Sequence, residues 1–94
     1  MPRYVIERDL PAAGKLSRRD LQALSQKSVR VLNKMAAPVQ WLHSYVAGDR
    51  IYCVYIASDE ELIREHARQG SFPLTRIAEV REVIDPTTAE KSDA

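Results

Sequence analysis

The stretch Val39-Gln-Trp-Leu-His-Ser-Tyr-Val-Ala-Gly-Asp-Arg-Ile-Tyr-Cys-Val-Tyr-Ile56 decides the fold. Both halves are rich in aromatic and β-branched residues, which suit a pleated, half-buried surface, and Gly48-Asp49 turns the chain between them. With those two residues at the centre of a tight hairpin, Ala47 faces Arg50 and the same offset continues outward. Alternation then places Trp41, His43, Tyr45, Tyr52, Val54 and Ile56 on one face, and Leu42, Ser44, Val46, Ile51, Cys53 and Tyr55 on the other. The second set reads as core beneath helices. The first, mixed apolar and polar, suits a cavity or a dimer interface, and a one-residue bulge would exchange some of its members.

Upstream, Arg3-Tyr-Val-Ile-Glu-Arg-Asp-Leu10 is β-rich and stops at Pro11, which lacks the N–H that pairing needs. Ser17, followed three residues on by Asp20, marks a helix start. Leu21, Leu24, Val31, Leu32 and Met35, with small Ser28, recur at helical spacing until Pro38 forbids continuation. Downstream, Ser58 or Asp59 caps a second helix whose inward face carries Leu62, Ile63, His66 and Ala67, with Gly70 as its stop. Leu74 to Ile84 alternates as a last strand before Asp85-Pro86.

The order βαββαβ is that of an α+β, ferredoxin-like sheet of four antiparallel strands with both helices on one face. Residues 1–86 form the domain and 87–94 a polar tail. The uncovered sheet face is too apolar to stay open, which points to a homodimer with α/β-barrel-type, face-to-face packing. A chain of 94 residues would be marginal without such support.

A net charge of +1, with signs alternating along the helices, argues against nucleic-acid binding. No apolar run is long enough for a membrane span or a signal peptide. Cys53 is the one cysteine, which excludes an intrachain disulfide and agrees with a reducing, cytoplasmic setting. Gly-rich phosphate loops, paired-cysteine zinc motifs and a His-Glu-x-x-His helix are all missing.

Chemistry is left to few residues. His43 on the second strand and His66 on the second helix sit within apolar patterns, where a neutral imidazole serves either as a transition-metal ligand or as a structural hydrogen-bonding group. Glu7 interrupts the first strand and needs an ion pair, with Arg8, Arg76 or Arg81 available, or a metal. Cys53 reads as a small buried hydrophobe, facing away from His43.

At Trp41-Leu-His-Ser-Tyr45, Ile51-Tyr-Cys-Val-Tyr-Ile56, Arg64-Glu-His-Ala67 and the Phe72-Pro73 connection to Glu79-Val-Arg81, the chain resembles a bacterial family of small nickel-binding, ferredoxin-like proteins, formerly a domain of unknown function. Tyr4-Val-Ile-Glu-Arg8 and Ile84-Asp-Pro-Thr87 extend the likeness over nearly the whole chain. The resemblance implies a cytoplasmic, ferredoxin-like dimer that binds nickel; the leading reading is a protein that sequesters, buffers or senses the metal, more than an enzyme, with His43, His66 and Glu7 as candidate metal ligands. Imidazole and carboxylate also suit zinc and copper, so nickel rests on the resemblance. The rival reading is a small-molecule-binding protein or enzyme with a pocket lined by Trp41, His43, Tyr45 and Tyr52.

Overall fold

The structure, a computed structural model, describes residues 1–90. Its strands are β1 (Arg3–Asp9), β2 (Val39–Ala47), β3 (Arg50–Ala57) and β4 (Arg76–Glu79), and its helices α1 (Arg18–Met35) and α2 (Glu60–Gly70). The sheet order is β2-β3-β1-β4 with every pairing antiparallel, the ferredoxin-like arrangement expected from the element order.

The local signals in the sequence account for these boundaries. Ser17 and Asp20 close a reciprocal capping box, Asp20 N–H donating to Ser17 Oγ (3.0 Å) and Ser17 N–H to Asp20 Oδ2 (3.2 Å). Of the two candidate caps for α2, Asp59 is the one used, accepting from Leu62 N–H at 3.1 Å. The hairpin pairs Ala47 with Arg50, as the turn requires. A short 3-10 turn at Ala13–Lys15 braces that hairpin: Gly14 N–H donates to Gly48 O at 2.8 Å, and a Cβ on Gly14 would lie 3.3 Å from Gly48 Cα.

Three expectations need correction. Gly70 is not the left-handed stop of α2; that conformation belongs to Ser71 (φ 53°). Gly70 lacks a side chain for a different reason, because a Cβ there would fall 2.1 Å from the Phe72 ring. The last strand covers only Arg76–Glu79 rather than Leu74 to Ile84. Among the described residues its one partner is β1, which begins at Arg3; Val80 N–H reaches Arg3 O at 2.8 Å, and no described strand lies beyond for Val83 and Ile84, which are exposed. Of the expected polar tail, Pro86–Ala89 forms a 3-10 turn capped by Asp85, and 91–94 lie outside the described residues.

The third correction is the register of β2. From Ala47 back to His43 the pairing keeps the hairpin offset, but Trp41 pairs with Tyr55 rather than Ile56 because Leu42 bulges out between Trp41 and His43. Trp41 therefore moves to the helix-covered face.

That face holds the core: Tyr4 and Ile6 from β1, Ile51, Cys53, Tyr55 and Ala57 from β3, and Ile63 from α2, with Leu24 of α1 and Trp41 packed against them. Cys53 is 5% exposed, in keeping with a core role. The opposite face carries Val5, Glu7, Tyr52, Val54 and Ile56, all half-buried, with His43 and Tyr45 exposed beside them. Both helices lie on the other side, so this second face is uncovered in the single chain.

Candidate functional site

The sheet separates the three residues expected to bind metal. His43 and Glu7 occupy the uncovered face, in the rows His43–Val54–Val5 and Tyr45–Tyr52–Glu7. The His43 ring is exposed and meets Tyr45 edge-on, with ring centroids 5.1 Å apart. Glu7 is held by cations: Arg50 Nη1 at 2.9 Å and, more distantly, Arg76 Nε at 3.9 Å. Arg76 was among its expected partners, but Arg50 was not. Arg50 also grips Asp9 (2.7 Å), directly opposite it across the β1–β3 ladder, and that carboxylate chiefly raises the Arg50 pKa. No group of three or more His, Cys, Asp or Glu side chains converges within the described residues.

His66 lies on the other side of the sheet and is wholly buried. Its Nε2 stands 3.3 Å from both the hydroxyl and the carbonyl oxygen of Ser28, the one buried residue of α1. The ring packs against Phe72 (5.1 Å) and Tyr55 (5.5 Å), and Nδ1 is buried without a partner. Burial depresses the His66 pKa, and the nearby Arg8 charge depresses it further, while the Ser28 backbone opposes them. His66 is therefore a neutral pin between α1, α2 and β3. The four-stranded sheet keeps it from sharing an ion with His43 and Glu7 of the same chain.

Of the four residues expected to line a pocket, Trp41 alone does so. A cavity of about 350 Å³ opens between α1 and the sheet. Trp41 and Cys53 line it, with Leu21 and Leu24 from α1 and Arg8 from β1. His43, Tyr45 and Tyr52 do not, since they stand on the opposite face. The bulge at Leu42 brings Trp41 to this wall, where its indole N–H donates to Ser44 Oγ at 2.9 Å. The cavity also explains why Leu21 and Leu24 of α1 are only half-buried: the helix stands off the sheet where these leucines line the opening.

A family model described as "Nickel responsive protein SCO4226-like" matches residues 4–80. The chain belongs to this family. The crystal structure of SCO4226 from Streptomyces coelicolor A3(2) is similar in fold, with a TM-score of 0.72 over 87% of this chain and 99% of that one, at 14% sequence identity. A comparison with curated proteins gives no match.

Arg8, expected as an ion-pair partner for Glu7, instead stands buried on the opposite face of β1, across from Ile51. Alternation along β1 puts Tyr4, Ile6 and Arg8 on one face, so a cation in the core was legible from the pattern that identified the strand. Glu7, which breaks the apolar run, lies on the uncovered side.

Proposed function

We propose that the chain binds a transition metal ion, nickel foremost, at the uncovered face of its sheet, and acts in nickel sequestration, buffering or sensing rather than in catalysis. The observation that carries this reading is His43: an exposed imidazole on an otherwise largely apolar sheet face, with the Glu7 carboxylate on the same face, in a chain whose family is described as nickel responsive. Imidazole and carboxylate are suitable ligands for Ni²⁺, as they are for zinc and copper, and the family description favours nickel. One chain supplies too few donors for a closed site. A second copy packed face to face would bring another His43 and Glu7 to the same face while covering Val5, Tyr52, Val54 and Ile56. His66 is outside this site and contributes to folding.

Nickel titration of protein without a histidine tag tests the proposal. His43→Ala should weaken nickel binding by about tenfold or more, since alanine offers no lone pair. Binding should also weaken in acid, because protons compete for the imidazole nitrogen. Folded His66→Ala and the surface control Arg18→Ala should bind as the parent does. Full affinity in folded His43→Ala, or loss confined to His66→Ala, would refute the site.

A further inference from the structure

We infer that the cavity between α1 and the sheet is a binding site for a small organic acid with an apolar body, whose carboxylate is received by Arg8. The reason begins with an unmatched charge. Arg8 is only 5% exposed, yet it has no acidic partner among the described residues. Its Nη1 donates to Pro73 O at 2.7 Å and its guanidinium stacks over Phe72, 5.5 Å from the ring centroid. Its Nη2 is buried with no hydrogen-bond partner. Neighbouring Glu7 and Asp9 cannot help, because alternation along β1 points both to the opposite face of the sheet, where they meet Arg50.

A buried cation is costly unless an anion compensates it, and a guanidinium with a free nitrogen is well suited to a carboxylate oxygen. The cavity beside Arg8 supplies room for one. None of its lining residues is acidic, and a second cation, Lys27, lines it from α1 with Nζ 5.2 Å from the Phe72 centroid. Ser28 and Tyr55 add hydroxyl groups to the same lining. The remaining wall is mainly apolar, including Leu21, Leu24 and Trp41.

These features define the ligand class. Two cations and no acid repel a metal ion, so this site is distinct from the proposed nickel site across the sheet. A neutral hydrocarbon would leave the guanidinium uncompensated, whereas inorganic phosphate would gain nothing from the apolar wall. A monocarboxylate with an alkyl or aromatic body satisfies both parts, and about 350 Å³ falls within the range of small-molecule pockets.

Octanoate, octanol and inorganic phosphate distinguish these cases in metal-free buffer. Trp41, the single tryptophan, lines the cavity and reports occupancy by its fluorescence, with calorimetry as a second readout. Octanoate should bind saturably and about tenfold or more tightly than octanol, and phosphate should not displace it. Arg8→Met replaces the cation with an apolar side chain of similar reach and should cut the preference for acid over alcohol to the few-fold that Lys27 supports. Lys27→Met, on an exposed helix position, should weaken octanoate several-fold and leave octanol unchanged. His43→Ala should bind octanoate as the parent does, which separates this result from the nickel reading. Equal binding of octanoate and octanol, no octanoate binding at millimolar concentration, or an undiminished preference in folded Arg8→Met would overturn the inference.

Discussion

Trp41 and His43, two residues apart on one strand, stand on opposite faces of the sheet. In a regular strand they would share a face, but the Leu42 bulge inserts an extra residue between them and shifts the pairing of Trp41 to Tyr55. One local irregularity thus separates the two candidate sites. The indole joins the cavity under α1, and the imidazole remains on the uncovered face.

The uncovered face leads to a prediction about assembly. Val5, Tyr52, Val54 and Ile56 form an apolar surface flanked by Tyr45, which is 61% exposed. Burying it against a second copy gains hydrophobic stabilisation that a monomer forgoes. The expected solution state is a dimer by light scattering. Val54→Arg, on an interior strand of this face, should give monomers, while Trp41 emission should be unaffected because the indole is on the other side. A monomeric parent at micromolar concentration would exclude face-to-face packing.

Cys53 supports a second prediction. It lies in the core and pairs with Ser44 at the cavity wall, away from His43. Cys53→Ser places a hydroxyl in an apolar setting and should cost about 1–3 kcal/mol of stability in chemical denaturation. Nickel affinity should be unchanged. A loss of nickel binding without a loss of stability would instead make the thiolate a ligand.

Most of the fold was legible because its signals are local. The Ser17–Asp20 capping box, the Gly48-Asp49 turn and the alternation of β3 each depend on a few neighbouring residues, and each appears where expected. The misreadings involve distant partners. No local pattern reveals that β4 runs out of strand at Arg3, that Phe72 presses on Gly70, or that Leu42 bulges. The candidate site was legible only in part for the same reason. His43 and Glu7 share a face, as strand alternation permits, but the separation of His66 follows from the sheet standing between a helix and the opposite surface.

His66 provides the last prediction, a dependence of stability on pH. Burial among Ser28, Tyr55 and Phe72 lowers its pKa from the ordinary 6.5, and Arg8 on β1 adds a like-charge contribution in the same direction. Ser28 opposes the shift without reversing it. The unfolded chain consequently takes up a proton at this residue more readily than the folded one. Stability from a neutral, buried His66 is therefore fully present above the unfolded pKa of 6.5 and is lost as the pH falls from there through the lower folded value. The charged groups nearby offer no rescue: Arg8, and Lys27 against the other contact of Phe72, are both cations. Denaturation midpoints measured across mildly acidic pH should decline in the parent. His66→Gln, which keeps a polar side chain at Ser28 but cannot titrate, should be less stable at neutral pH and should show a shallower decline. An equally steep decline in folded His66→Gln would assign the acid sensitivity to other groups and remove the buried imidazole as its cause.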